Sequence, residues 1–278
     1  MNAPAPPTVR TALPARPSTL LRLAAEGATG ALLRDTGTIY LTKGMVSHAE
    51  SASAPGVDVL LVAGGRLPRA VWDEAAGRAG PRRQVGGHLV AEGHLTSGEL
   101  EICLLTALYD AALFALAPGG GPTRFRRGVG HGIGTVRPVP ADAVEREARR
   151  RRQLLDSAWP GPAVDTAPLV RRRVPPGGGG SVPLRQRVLL DLADGHRTPA
   201  DLARLLGRPV FHVLLEVRRL AVAGLIDPPR PPPPGADVPG VPDVPPRDSP
   251  VARPFAADGF TSPDAALLRR VRDALEAL

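Results

Sequence analysis

Between Gly30 and Ser51 the chain reads GALLRDTGTIYLTKGMVSHAES. Apolar residues cluster or alternate in GALLR, TIYL and MVSHAE as a half-buried sheet requires, and Asp35-Thr36-Gly37 and Lys43-Gly44 supply turn chemistry between them. The pattern predicts a three-stranded antiparallel meander. Ahead of it, STLLRLAAEG reads as a short helix capped by Ser18 and stopped at Gly27. Behind it, GVDVLLVAGG is a strand or a short helix, LPRAVWDEAAGRAG is a helix carrying Trp72, and GGHLVAEG holds a further helical turn. Thr96 and Glu99 then have the T-x-x-E spacing of a capping box, which satisfies two orphan backbone donors and starts a long helix. In that helix Leu104, Leu105, Leu108, Leu113 and Leu116 are expected on the face that packs against Ile39, Leu41 and Val46. TRFRRGVGHGIGTVRPV is β-like or irregular, and ADAVEREARRRRQLLDSAW is a charged helix.

The periodicity divides the chain. Residues 1–17 form a proline-rich tail, 18–155 an α+β domain, and 156–182 a Pro/Gly/Arg-rich linker. Residues 183–227 then follow as a separate three-helix module of helix-turn-helix or winged-helix type. In it, Val188, Leu189 and Leu192 give one core face, and Leu202, Leu205 and Leu206 the next. Thr198-Pro199 is a cap followed by proline at the first helical position, and Gly207 and Gly224 are stops. Residues 228–261 are proline-dense and read as an extended spacer. In 262–278, Leu268, Val271, Leu275 and Leu278 follow 3-4-3 spacing on one face of a short amphipathic helix. Such a helix is marginal alone, so these four residues are expected to dock on a partner, on the chain's own N-terminal domain or on a second copy.

Composition narrows the chemistry. With 33 prolines, 31 glycines and 3 % aromatics, much of the 278-residue chain packs no core, and stacking platforms for single-stranded nucleic acid are scarce. The net charge of +8 is uneven: residues 18–145 are balanced, whereas 146–173 carry eight arginines against three acids. Arg149, Arg150, Arg151, Arg152, Arg171, Arg172 and Arg173 are therefore candidates for non-specific phosphate contact. Lys43 is the only lysine, in a strand turn, so there is no GxxxxGK[ST] phosphate loop. Cys103 is alone, which excludes an intramolecular disulfide and places the chain in a reducing, cytoplasmic setting. The most apolar run, Ile102 to Ala117, is shorter than the roughly 20 residues a bilayer needs, and no secretory signal is visible; no membrane partner is expected. GVGHGIG around His131 does not match GxGxxG and reads as a flexible loop. His48, His88 and His94 with Glu50 or Glu92 lack the H-x-x-x-H spacing of a helical metal pair, so neither metal nor cofactor is expected. No GxSxG motif is present, and the pattern predicts no enzyme.

The hairpin Gly37, Ile39, Tyr40, Leu41, Gly44, Val46 and Ala49, of the form G-x-I-Y-L-x-x-G-x-V-x-x-A, together with GGHLVAEGHLTSGELE, resembles the PATAN-type (PatA amino-terminal) domains of bacterial signalling proteins. That resemblance covers residues 18–152 and implies a protein-interaction module. The second module resembles the helical part of winged-helix regulators, and the whole arrangement looks like actinobacterial transcriptional regulators. It implies a DNA-binding regulator that engages double-stranded DNA through Arg197, Arg204, Arg208, Arg218 and Arg219, with His212 nearest the bases. The alternative is a non-enzymatic signalling adaptor whose helical module binds protein.

Overall fold

The computed structural model describes residues 17–134, 137–172 and 182–227. The sequence-predicted helix at 262–278 and the spacer before it lie outside them. The meander forms as expected: β1 (Gly30–Arg34), β2 (Gly37–Thr42) and β3 (Met45–Glu50). Lys43 and Gly44 both have positive φ (51° and 79°), which is the backbone a two-residue type I′ hairpin needs. Two short strands, β4 (Arg124–Arg127) and β5 (Val139–Pro140), complete a five-stranded antiparallel sheet in the order β4-β1-β2-β3-β5.

One face of that sheet, with Leu32, Ile39, Leu41, Val46 and Ala49, is buried against the C-terminal half of α5 (Ser97–Ala115). The Thr96/Glu99 capping box is present and starts α5 as the spacing predicts. Leu104, Leu108 and Leu113 are buried, while Leu105 and Leu116 are partly buried against the core. Leu104 does not meet the meander core: with Leu100, Cys103 and Ala107 it packs under α2 (Val57–Val62), α3 (Arg69–Ala79) and α4 (Val85–Ala91). α5 is thus enclosed on several sides, which explains why its sequence is apolar almost all round. α1 (Thr19–Ala25), capped by Ser18, lies beside α6 (Ala141–Ala158).

The three expected helices of the second half are α7 (Leu184–Leu192), α8 (Pro199–Leu205) and α9 (Val210–Val222). They do not stand apart. Val210, Phe211, Leu214 and Val217 of α9 belong to the same continuous hydrophobic core as Leu108, Ala112 and the sheet. The stretch expected to be a linker is largely structured where described: Asp156 lies in α6, a 3-10 turn follows at Pro162–Asp165, and β6 (Val170–Arg171) pairs with β7 (Ile226–Asp227). Its Val164 and Leu169 are buried. Leu205, expected in the core, is 54 % exposed. It lies in the last turn of α8.

Two polar devices and one close backbone approach fasten α9 to the rest. Asp110 of α5, 1 % exposed, lies at the first turn of α9, where the Val210 and Phe211 amides favour its ionised form, and its Oδ2 has no hydrogen-bond partner. Its Oδ1 accepts Arg151 Nη1 at 2.6 Å, and the Arg151 guanidinium lies 4.7 Å from the Phe211 ring centroid. Burial pushes the Asp110 carboxyl up, against the opposing pull of Arg151 and the two amides. At the other side of α9, Arg218 donates to Asp165 at 2.6 and 2.8 Å, to Asp156 at 3.2 Å and to the Trp159 carbonyl at 2.6 Å. In the turn between α8 and α9, Gly207 has φ +57°, and a Cβ there would fall 2.1 Å from the Gly64 nitrogen. Only glycine permits that backbone-to-backbone approach.

Removing one partner of a buried pair strands the other charge. Asp110→Ala is expected to lower unfolding free energy by about 3 kcal/mol, because it removes the buried partner of Arg151 and leaves that guanidinium with Glu147 alone. Urea denaturation checks this; a midpoint unchanged from the parent protein would show that α9 is not held at its N-terminus.

Candidate functional site

Tyr40 and His48 face each other across β2 and β3, and Glu50 follows His48 by two residues on the same side of the strand. Alternation places this set on the face opposite Ile39, Leu41 and Ala49. The β4–β5 connection brings His131 onto it. Tyr40 Oη donates to Glu50 Oε2 at 2.7 Å, and His131 Nε2 lies 2.7 Å from Glu50 Oε1. Ile133 N–H donates to His131 Nδ1 at 3.2 Å, so Nδ1 carries a lone pair and Nε2–H is the donor to Glu50. The His48 and His131 ring centroids are 3.8 Å apart, and Tyr40 meets His131 edge-on at 5.3 Å.

His48 is 2 % exposed, and its Nδ1 has no hydrogen-bond partner. Burial, then the neighbouring His131, hold its imidazole well below the ordinary value, so the ring is neutral. For Glu50, burial alone would raise the carboxyl. The hydrogen bond and charge of His131 and the Tyr40 hydroxyl outweigh it and hold the group below its usual value. Among the described residues, His48, Glu50 and His131 are the histidine and carboxylate groups whose ligand atoms all come within 4.8 Å of one another. Sequence reasoning grouped His48 with His88 and His94 instead. His94 is exposed, His88 is half-buried in α4, and neither joins the cluster. His131, read as part of a flexible loop, is the member it missed.

The candidate DNA contacts are dispersed, and most are engaged within the protein. Arg218 is 2 % exposed and tied to Asp165 and Asp156, which corrects its assignment to phosphate: no duplex can reach it. Arg204 donates to Asp201 and to the Ala52 carbonyl. Arg197 pairs with Asp194 and Arg219 with Glu216. His212 is exposed on the first turn of α9, and Arg208 is half-buried in the turn before it. The basic run of α6 divides in the same way. Arg151 holds Asp110, Arg152 donates to the Leu113 carbonyl at the end of α5, and Arg150 pairs with Glu147. Arg151 and Arg152 are thus engaged within the protein, while Arg150, 60 % exposed, and Arg149 stand at the surface. Arg171 pairs with Asp191 and Arg172 approaches Asp227 at 3.8 Å. Arg173, Leu268, Val271, Leu275 and Leu278 lie outside the described residues.

A groove of about 480 Å³ runs between α6 and α9, lined by Leu154, Ser157, Ala158, Leu215, Arg219 and Val222. Val222 is 60 % exposed in it. No helix among the described residues is long and apolar enough to cross a membrane. Comparison with protein-family models, with curated proteins and with solved structures finds no match to this chain.

The start of α8 carries two carboxylates whose ionisation the fold favours. Asp194 is held below its usual range by the backbone N–H groups of His196 and Arg197, and Asp201 by the Thr198 hydroxyl and amide. A folded-state value below the unfolded one stabilises the protein above the unfolded carboxylate range. That contribution disappears as pH falls through the folded value. The double variant Asp194→Asn, Asp201→Asn is therefore expected to show a shallower loss of urea midpoint between about pH 5 and pH 2 than the parent. Parallel curves for the two proteins would contradict the capping role.

Proposed function

We propose that the chain is a non-enzymatic adaptor whose helical half binds protein. The observation that carries this reading is the closed N-terminus of α9. A helix-turn-helix reader presents the first residues of its recognition helix to base edges. Here that end is occupied by the Asp110 carboxylate, and the preceding turn is pressed against Gly64. The exposed stripe of α9 borders an apolar groove, and Arg219 on that stripe already has an acidic partner. The resemblance of residues 18–152 to PATAN-type interaction domains supports the same conclusion.

The occupant of the groove, on this reading, is the chain's own 264–278 segment. Its Leu268, Val271, Leu275 and Leu278 provide one apolar stripe, and its tether leaves Asp227 only five residues after Val222. Deleting residues 264–278 from the full chain is expected to speed amide exchange in 154–158 and 215–222 selectively. Exchange unchanged there would remove the segment from the groove.

A regulator of transcription is the second reading, favoured by one observation: α8 and α9 are joined by a four-residue turn with Gly207 in the left-handed conformation, as in helix-turn-helix units. Duplex binding by the full chain across a salt series separates the two. The adaptor reading expects weak binding to any sequence, unaffected by His212→Ala with Arg219→Ala. A single tight operator lost in that double variant would establish the regulator instead.

A further inference from the structure

We infer that His48, Glu50 and His131 form a binding site for one divalent first-row metal ion of the zinc or cobalt kind. The inference is independent of the adaptor reading. Two imidazoles and one carboxylate from a strand and a loop make a three-ligand set, with their ligand atoms within 4.8 Å of one another. Mixed nitrogen and oxygen donors suit zinc-like ions rather than calcium or magnesium, which prefer oxygen alone. Three protein ligands leave a fourth position for water, and Glu50, whose side chain is 32 % exposed, gives the cluster an opening to solvent.

Two further observations fit a metal better than a hydrogen-bonded cluster. His48, 2 % exposed, has a buried Nδ1 without a partner, and one of its two ring nitrogens is among the converging ligand atoms. Tyr40 Oη already holds Glu50 Oε2, the outer-sphere support that orients a ligating carboxylate. His131 Nε2 and Glu50 Oε1, now hydrogen-bonded at 2.7 Å, must part to the roughly 3.3 Å that separates two ligand atoms at tetrahedral angle on one ion, which gives up that hydrogen bond. A second contact is lost as well. With Nε2 on the metal, Nδ1 must carry the proton, so Ile133 N–H loses its acceptor. That neutral hydrogen bond at 3.2 Å is small beside metal–nitrogen coordination.

Titrating the metal-stripped full chain with Co²⁺ tests the site. The expected result is one equivalent with the intense visible absorption of a tetrahedral or five-coordinate ion, displaced by Zn²⁺. His48→Ala and Glu50→Gln are each expected to weaken binding at least about tenfold, while His88→Ala with His94→Ala leaves it unchanged. Because His48→Ala removes a buried ring and can unfold the protein, the near-isosteric Glu50→Gln decides if it does. Absence of the absorption, or an affinity that Glu50→Gln leaves alone, overturns the proposal. Loss of binding in the His88/His94 variant also overturns it, since the ion then sits on surface histidines.

Discussion

Asp110 is the point through which the two halves of the molecule are joined. It rises from a helix that is otherwise apolar on nearly every side, and a lone carboxylate there would be expensive to bury. The cost is offset in part from two directions: the guanidinium of Arg151 on α6 donates to Oδ1, and the amides at the start of α9 favour the charge, while Oδ2 stays without a hydrogen-bond partner. Three helices from distant parts of the sequence therefore converge on one side chain. The apolar surfaces of α5, α6 and α9 are held in register around it, and the shared core of the sheet and the C-terminal helices follows from that alignment.

The same logic explains the arginine-rich composition. Where α5 ends, its last carbonyls have no helical partners, and Arg34 and Arg152 donate to those of Ala115 and Leu113. Arg218 fills the equivalent role between α9 and the loop after α6, with its planar fork on Asp165. Arg34, Arg151, Arg152 and Arg218 serve as internal connectors, whereas Arg124, Arg126, Arg127 and Arg149 are exposed.

Local signals made much of the fold legible. The meander, the capping boxes at Thr96 and Thr198 and the glycine stops depend on neighbouring residues, and each is found where the sequence places it. TRFRRGVGHGIGTVRPV read as β-like or irregular, and β4 lies within it, but its pairing with β1 and that of β5 with β3 were not legible, because RFRR and VP carry no pattern that selects a neighbour. The hydrophobicity of PVFHVLLEVRRLAVAGLI on most of its circumference was a signal of a helix enclosed by more than its own module, and Arg218 in its midst was the hint of a buried pair. The candidate metal site was hidden by a bulge. A two-residue turn at Lys43-Gly44 would set Tyr40 opposite Ser47, but the register shift after Leu41 moves Tyr40 opposite His48. Nothing in a glycine-flanked loop announces that His131 will lie over that pair.

The attachment of α9 also sets an order of assembly. Arg204 reaches the Ala52 carbonyl across 152 residues of chain, and Arg218 reaches Asp165 across 53. Contacts of such separation form only after long loops have closed, so they belong to late stages of folding. As the chain leaves the ribosome, the sheet and α5 can collapse on local information, yet Asp110 stays without the α9 amides until nearly the whole helical half has emerged. Until then the nascent protein presents an open apolar face with an acidic residue at its centre, a surface that chaperones have reason to cover.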